Sequence, residues 1–274
     1  MLPDFPRLIA TTRNGPIGYR QSGSPDGHAL VLLHGIGSAS GSWVHQLQRF
    51  GNHFRVIAWD APGYGQSMHL NGDDPDAGDY ADALQGLLDA LDVKGCLLVA
   101  QSLGALVACR WAATRPHALS GLVLISPANG YGRASVALRE ARLQARLQAM
   151  DELGPQGLAE ARAHNLLSAQ AAPEALALVR ENMAALDRRG HAQAAHLLAG
   201  GSAIDDAHRY AGPTLVLCGS EDRVTPPADC ELVAKAFAQA EFRVLPGPGH
   251  ASYVESPDQV NQAISEFAHH LGLC

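Results

Sequence analysis

Three residue types that together perform nucleophilic catalysis follow short apolar runs of the chain. Ser102, Asp222 and His250 come within a few residues of the ends of the fifth, seventh and eighth of these runs. A serine hydroxyl is a weak nucleophile at neutral pH, and it needs a base that a carboxylate orients. Because ligands bind at the carboxyl ends of the strands in open α/β sheets, we expect the three side chains to meet at one edge of a sheet. The sequence therefore predicts a Ser-His-Asp triad.

Ser102 stands in the segment Ala100–Gly104, between a predicted strand and a predicted helix. A small residue two positions before the serine and a glycine two positions after it are typical of a nucleophile elbow. The sharp turn crowds these flanking positions, so both residues must be small. Position 100 holds alanine where glycine is usual. The alternative is a serine that only caps the following helix.

Attack on a carbonyl creates an oxyanion, which two preset donors must stabilise. The backbone N–H of Leu103, at the start of the helix, is one candidate donor. The backbone N–H of Ile36 is the second, because Gly35 and Gly37 let that loop approach closely. We therefore predict an oxyanion hole at Ile36 and Leu103, and we place Gly35, Gly37 and Gln101 among the substrate-binding residues.

Other polar residues at the strand ends have competing assignments. Glu221 adjoins Asp222 and could supply the carboxylate, although a shift of one residue turns its side chain away. His34 is expected to hold its loop by a hydrogen bond. Asp60 is expected to pin the turn after the fourth strand.

The apolar runs predict the sheet that must position these residues. They show no polar alternation, which suits strands buried on both faces of a parallel sheet. Helical patterns lie between most of them, so we expect an α/β fold with a doubly wound, mostly parallel, eight-stranded sheet. The predicted strands are Leu8–Thr12, Gly18–Gly23, Ala29–Leu33, Phe54–Trp59, Gly95–Ala100, Gly121–Ile125, Thr214–Cys218 and Glu241–Leu245. The predicted core helices are Gly41–Phe50, Tyr80–Leu91, Leu103–Ala113, Ala228–Ala238 and Pro257–Leu271.

The alternation of strands and helices stops between positions 129 and 210, where only helical patterns occur. We assign residues 1–128 and 211–274 to a core domain, and 129–210 to a helical insertion between strands six and seven. Gly154-Pro155 is expected to separate helices within it. The residues expected on the apolar face of its first helix are Val136, Leu143, Leu147 and Met150. The histidines of the insertion that we assign to surface or packing roles are His191, His196 and His208.

The insertion is rich in arginine, with eight of the 18 arginines between Arg133 and Arg189. Arg139, Arg142 and Arg146 fall on one side of a predicted helix, beside its apolar stripe. They either form a solvated flank whose stems cover apolar surface, or face a cavity and bind a substrate carboxylate in bidentate fashion. We retain these three arginines as candidate substrate-binding residues.

The composition excludes several classes of partner. The chain has 274 residues and a formal net charge of -7, so it lacks the basic surface that nucleic-acid binding needs. No apolar run approaches the ~20 residues that span a bilayer, and residues 1–14 lack the basic start and apolar core of a signal peptide. No CxxC or HExxH motif occurs. We expect a cytoplasmic protein with a small-molecule substrate, no membrane contact, and neither a metal nor an organic cofactor. The cysteines expected to be reduced core residues are Cys96, Cys109, Cys218 and Cys230.

Taken together, these motifs resemble those of the α/β-hydrolase superfamily. The residues that carry the resemblance are His34-Gly35-Ile36-Gly37, Asp60-x-Pro62-Gly63-x-Gly65-x-Ser67, Ser102-Leu103-Gly104, Gly219-x-x-Asp222-x-x-x-Pro226 and Gly249-His250. The chain order of serine, acid and histidine is that of the superfamily. The resemblance implies that the insertion forms a helical lid over the active site. A serine at the elbow argues against haloalkane dehalogenases and epoxide hydrolases, which carry aspartate there.

Within the superfamily, the sequence is similar to small bacterial esterases, enol-lactonases and hydrolases that cleave carbon–carbon bonds in aromatic breakdown. The first expectation is hydrolysis of a small ester or lactone through an acyl-enzyme, by a monomer or homodimer. Cleavage of aromatic meta-cleavage products is an alternative, although such enzymes usually have tryptophan after the catalytic histidine, where Ala251 stands. A cofactor-free perhydrolase or acyltransferase is a further alternative, as is a receptor that only binds its ligand.

Overall fold

The apolar runs form one eight-stranded sheet with helices packed on both of its faces. The computed structural model describes residues 4–273. The strand order is β1-β2-β4-β3-β5-β6-β7-β8, in which β2 runs antiparallel to both of its neighbours and all other neighbouring strands are parallel. This confirms the predicted fold class. The strands are β1 Leu8–Thr12, β2 Gly15–Ser22, β3 Ala29–Leu33, β4 Arg55–Trp59, β5 Cys96–Gln101, β6 Leu119–Ile125, β7 Thr214–Gly219 and β8 Ala240–Leu245.

Helices connect the parallel strands, and between β6 and β7 the described chain contains no strand. The first helix of that stretch is broken at Gly154, where φ is +63°, directly before Pro155. This break was predicted from the Gly-Pro pair. No helix within residues 4–273 combines the length and the apolar character needed to cross a membrane. The helices are α1 Val44–Phe50, α2 Ala77–Ala90, α3 Gly104–Thr114, α4 Val136–Arg162, α5 Pro173–Ala184, α6 Arg188–Gly200, α7 Ala203–Ala207, α8 Pro227–Ala234, α9 Ser252–Glu255 and α10 Pro257–His270.

Burial on both faces explains why the strands show no polar alternation. Every residue of β3, β5 and β7 is buried. Alternate side chains of β3 enter two apolar clusters on opposite faces of the sheet, with Leu30 in one cluster and Val31 in the other. The sheet is therefore a rigid platform for the loops at its carboxyl edge. The cysteines predicted to be core residues are buried and unpaired: Cys96, Cys109, Cys218 and Cys230.

Several helices differ in detail from the prediction: α1 begins three residues later than predicted, and α8 ends four residues earlier. α2 begins at Ala77, three residues before the predicted start at Tyr80, because Asp76 caps it by accepting hydrogen bonds from the backbone N–H groups of the first turn. Val136, expected on the apolar face of α4, is 58% exposed. The apolar stripe of α4 is covered only towards its C-terminal half, where Met150 is buried.

Asp60 joins three segments beside the carboxyl edge of the sheet. Its side chain is fully buried, where Oδ1 accepts the backbone N–H of Ser40 at 2.9 Å and Oδ2 pairs with Arg7 Nε at 2.6 Å. Its backbone carbonyl accepts the hydroxyl of Ser67 at 2.6 Å. Asp60 therefore holds the turn after β4 against the N-terminal segment and the loop after β3.

His34 makes a second bridge between the loops after β3 and β4. Its Nε2 accepts the backbone N–H of Ala61 at 3.0 Å, so Nδ1 carries the proton and donates to the carbonyl of Gly35 at 2.8 Å. Burial lowers the pKa of His34, in keeping with this neutral tautomer. The imidazole thus fixes the loop that begins with Gly35.

We expect Asp60→Ala to lower the free energy of unfolding by about 3 kcal/mol, because the Ser40 N–H and the Arg7 guanidinium lose a buried acceptor. Asp82→Ala is the matched control. Asp82 pairs with Arg115 at 2.6 Å but is 57% exposed. We therefore expect Asp82→Ala to lower the free energy of unfolding by only about 0.5 kcal/mol. Urea denaturation measures both values. Equal effects of the two substitutions would contradict the anchoring role of Asp60.

Candidate active site

Ser102 occupies a strained turn between β5 and α3. Its φ is +52°, a left-handed conformation that costs a residue with a Cβ about 1–2 kcal/mol. The turn is held by its own backbone, because the N–H of Ser102 donates to the carbonyl of Ile125 at 3.1 Å and its carbonyl accepts the N–H groups of Ala105 and Ala128. The elbow predicted from the spacing of small residues is thus formed, with a fully buried Ala100 two positions before the serine.

Glycines allow the neighbouring backbone to approach this turn. A Cβ added at Gly104 would lie 2.8 Å from the carbonyl oxygen of Leu33. A Cβ at Gly35 would lie 2.4 Å from Gln101 Oε1 and 3.0 Å from Ser102 Cβ. Both positions therefore require glycine for steric reasons.

Asp222 and His250 are joined by a hydrogen bond of 2.9 Å between Oδ2 and Nδ1. The other carboxylate oxygen of Asp222 accepts the backbone N–H groups of Val224 and Thr225 at 2.8 and 2.9 Å. Burial alone would raise the pKa of Asp222, but the hydrogen bond and charge of His250, with the N–H of Thr225, outweigh it and lower this pKa. The carboxylate is therefore ionised and fixed in orientation.

The Thr225 side chain adds a further contact to this pair. Its hydroxyl lies 2.9 Å from Asp222 Oδ2, 3.2 Å from His250 Nδ1 and 3.1 Å from the carbonyl of Ser126. Thr225 was not predicted from the sequence. The signal was its place three residues after the acid, where a side-chain hydroxyl readily bonds back to a carboxylate.

The backbone of the His250 loop is anchored on both sides. Gln101 Nε2 donates to the carbonyl of His250 at 3.2 Å. Glu255 accepts the N–H of Gly249 at 2.8 Å, and the same carboxylate accepts the N–H and the hydroxyl of Ser168, a residue of the insertion. The loop that carries His250 is thus tied directly to the insertion.

Ser102 and His250 line the same cavity. No hydrogen bond joins the Ser102 hydroxyl to the His250 imidazole in this structure, whereas the His250–Asp222 bond is formed. In the absence of substrate, the contact between a nucleophile and its base is often long and tightens only in the reactive complex. Ser102 and His250 therefore face one cavity, and Asp222 contacts His250 without lining the cavity itself.

The two predicted oxyanion donors have free N–H groups. Within residues 4–273, neither the N–H of Ile36 nor that of Leu103 donates to a protein acceptor. The carbonyl of Gly35, in the same peptide unit as the Ile36 N–H, accepts a hydrogen bond from His34 Nδ1 at 2.8 Å, and the carbonyl of Ile36 in the next peptide unit accepts the Tyr64 hydroxyl at 2.9 Å. These bonds fix the orientation of both peptide units. Gly37, the next residue, leaves room for Met183 of the insertion, since an added Cβ would lie 3.1 Å from its methyl group.

The cavity has a volume of about 560 Å³ and lies between the carboxyl edge of the sheet and the insertion. Its sheet side includes Gly35, Ile36, Gly37, Gln101, Ser102 and His250. Its insertion side is mainly apolar but carries several polar groups. Residues on that side include Tyr131, Arg146, Leu158, Arg162, Met183 and His191.

Only one of the three arginines predicted to bind substrate lies at the cavity. Arg146 lines the cavity, whereas Arg139 and Arg142 do not. Arg162 also lines it and was not singled out from the sequence. The break at Gly154 resets the helical phase, so spacing from Arg146 could not relate the two residues.

His191 is buried at the insertion side of the cavity, and its Nδ1 has no hydrogen-bonding partner among the described residues. Burial, followed by the charges of Arg146 and Arg162, lowers its pKa to about 4. The imidazole is therefore neutral at pH 7. The other two histidines that we assigned to surface or packing roles, His196 and His208, do not line the cavity, and His208 is exposed.

Glu221, the competing acid, is exposed, whereas the adjacent Asp222 is buried against His250. The backbone N–H of Glu221 donates to the carbonyl of Pro248 at 3.0 Å. Only one of the two neighbouring carboxylates therefore contacts the imidazole.

Comparison with known proteins assigns the family. The model of the alpha/beta hydrolase fold family matches residues 28–257. The chain belongs to the alpha/beta hydrolase fold family. Its relatives include many named hydrolases and esterases, and this alpha/beta hydrolase is accordingly a hydrolytic enzyme.

Three relatives illustrate the range of the similarity. The hydrolase is 27% identical over 268 residues to (E)-2-((N-methylformamido)methylene)succinate hydrolase of Acinetobacter baylyi, covering 95% of this chain and 97% of that protein. It is 25% identical to 3-oxoadipate enol-lactonase 2 of the same species, covering 93% of each chain. A thermophilic esterase from Thermogutta terrifontis, solved with malate bound, superposes with a TM-score of 0.86 at 28% identity, covering 97% of this chain and 99% of that one.

We expect Gly104→Ala to lower the free energy of unfolding by about 1–3 kcal/mol, because the new methyl group would collide with the backbone carbonyl of Leu33. Gly200→Ala is the matched control at the end of α6, where an added Cβ meets nothing within 4 Å. It should be neutral or stabilise the protein by up to about 1 kcal/mol. Chemical denaturation compares the two variants, and a similar loss in both would refute the steric requirement at Gly104.

We also expect His191 to make stability depend on pH. The pKa of about 4 in the folded protein lies below the ordinary value of 6.5, so protons bind preferentially to the unfolded chain as the pH falls below 6.5. Between pH 7 and pH 5, the wild-type protein should therefore lose roughly 1–2 kcal/mol more stability than His191→Gln. His208→Gln, at an exposed position, is the control and should follow the wild type. If the free energy of unfolding fell equally with pH in the wild type and in His191→Gln, this account would be wrong.

Proposed function

We propose that this hydrolase cleaves a small carboxylic ester or lactone through an acyl-enzyme, with Ser102 as nucleophile, His250 as base and Asp222 as its orienting acid. The observation that carries the proposal is the buried Asp222–His250 hydrogen bond of 2.9 Å beside the cavity that Ser102 lines. This bond keeps the proton on Nδ1 and leaves Nε2 as a base.

The reaction follows from these positions. His250 Nε2 removes the proton of the Ser102 hydroxyl as Oγ attacks the carbonyl carbon. The resulting oxyanion accepts hydrogen bonds from the N–H groups of Ile36 and Leu103. The imidazolium, stabilised by the Asp222 carboxylate, protonates the leaving oxygen, and the acyl group stays on Ser102. A water molecule then gives its proton to His250 and releases the acid by the reverse sequence.

The relatives support both an ester and a lactone as the substrate, because one relative is an esterase and another is an enol-lactonase. An ester releases a separate alcohol, whereas a lactone opens and keeps its hydroxyl on the acyl chain. The same proton transfers by His250 serve both reactions. A cavity of about 560 Å³ has the size of sites that enclose small molecules.

We further propose that residues 129–210 act as a lid over the core domain formed by 1–128 and 211–274. Support comes from the residues of this segment that line the cavity opposite Ser102, among them Leu158 and Met183. The contact between Ser168 and Glu255 links this lid to the His250 loop. A lid excludes water and strengthens the electrostatic interactions within the site.

We expect Ser102→Ala to reduce the hydrolysis of p-nitrophenyl butyrate by at least about 10³-fold, because the attacking oxygen is removed while the fold is retained. Ser120→Ala is the control, since Ser120 lies on β6 and does not line the cavity. It should keep its activity within about twofold of the wild type. Release of nitrophenol is followed by absorbance, and circular dichroism verifies the fold. Undiminished turnover by folded Ser102→Ala would exclude the proposed nucleophile.

A further inference from the structure

Two arginines at the cavity wall lack acidic partners. Among the described residues, no carboxylate lies within ion-pair distance of Arg146 or Arg162. Four of the seven other arginines of the insertion have acidic neighbours, and none of the seven lines the cavity. These pairs are Arg133–Asp205 at 3.8 Å, Arg188–Asp151 at 3.8 Å, Arg189–Asp73 at 3.9 Å and Arg209–Asp206 at 3.8 Å. Arg139, Arg142 and Arg180 are also unpaired, but of the unpaired arginines of the insertion only Arg146 and Arg162 line the cavity.

Arg146 is held in place before any ligand binds. Its Nη1 donates to the carbonyl of Arg142 at 3.0 Å, and its guanidinium carbon lies 5.5 Å from the centre of the Tyr131 ring. The side chain is half-buried. A guanidinium has five N–H donors, so this arrangement leaves donors for a further acceptor. Restricting the side chain in advance lowers the entropic cost of binding an anion.

His191 lies at the same wall of the cavity as the two arginines. It is more than nine-tenths buried, lines the cavity and has an Nδ1 without a partner in the described chain. The charges of Arg146 and Arg162 disfavour its protonation. Both arginines line the cavity together with this buried imidazole, so a ligand of negative charge would be stabilised there.

The other residues of the cavity limit what that ligand can be. Apolar side chains such as Leu158, Met183 and Leu186 line the insertion side together with the arginines. Asp229 is the one carboxylate among the described lining residues, and it makes no ion pair with either arginine. An aliphatic chain with a single anionic end fits such a wall better than a multiply charged group, because apolar contacts cannot replace the hydration of further charges.

We propose that Arg146 and Arg162 form a carboxylate-binding subsite, so that the substrate is an ester or lactone bearing a second, free carboxylate. This inference rests on the proposed function for the bond that is cleaved. The carboxylate would accept bidentate hydrogen bonds from the guanidinium groups, with the apolar chain lying between them and Ser102. The substrate class is thus the half-esters of dicarboxylic acids and the lactones of comparable acids.

The kinetic test uses two substrates that differ in whether the distal carboxylate is free or methylated, 4-nitrophenyl hydrogen glutarate and methyl 4-nitrophenyl glutarate. We expect Arg146→Gln and Arg162→Gln each to lower kcat/KM for the acid about tenfold, and the double variant about 100-fold. Hydrolysis of the methyl ester should change by less than about threefold. Arg180→Gln is the matched control, because Arg180 is an exposed, unpaired arginine of the insertion that does not line the cavity. It should leave both substrates unaffected.

A binding test separates the subsite from the chemistry. Glutarate is titrated calorimetrically into Ser102→Ala and into Ser102→Ala with both arginines replaced by glutamine. We expect glutarate to bind the first protein at least about tenfold more tightly than the second, and more tightly than inorganic phosphate. This result would support the subsite even if neither nitrophenyl ester were cleaved, which would refute only the proposed hydrolysis. Equal affinity in the two proteins, tighter binding of phosphate, or equal loss on both esters would overturn the subsite.

Discussion

The strained backbone of Ser102 is the constraint on which the rest of the site depends. A φ of +52° at a residue with a Cβ persists only where the surroundings over-determine it. Here the turn is fixed by β5, which hydrogen-bonds to β3 on one side and β6 on the other. The absence of a side chain at Gly104 lets the start of α3 lie against the carbonyl of Leu33. The buried sheet therefore supplies the energy that keeps the serine hydroxyl at the cavity.

The loops around Ser102 are fixed by buried polar bridges rather than by apolar packing alone. His34 and Asp60 hold the loops after β3 and β4, while Asp222 is held by the two backbone N–H groups that follow it. Glu255 extends this network to Ser168 in the insertion. Each of these groups is costly to bury without a partner, so each makes the position of its loop specific.

Charge is distributed unevenly between the two sides of the cavity. On the core side, Asp222 is paired with His250, and Asp229 of α8 is the one carboxylate among the described lining residues. The insertion side carries Arg146 and Arg162 beside a neutral His191. The chain has a net charge of -7, but the potential at this wall is locally positive because no carboxylate of the described residues lies within ion-pair distance of either arginine. The net charge therefore says little about the charge that a ligand meets.

The sequence by itself determined the sheet, the strained turn and the residues at the strand ends. Fully apolar runs such as Ala29–Leu33 admit few structures other than doubly buried strands, and the small residues around Ser102 have a local steric meaning. Tertiary structure decided what depends on the relative phase and packing of distant segments. It brought Arg162 to the cavity across the break at Gly154, left Val136 in solvent and separated Asp222 from Glu221 by burial. Local patterns record only which residues share a face of one helix or strand, whereas the surroundings of that face are set by chain segments far away in sequence.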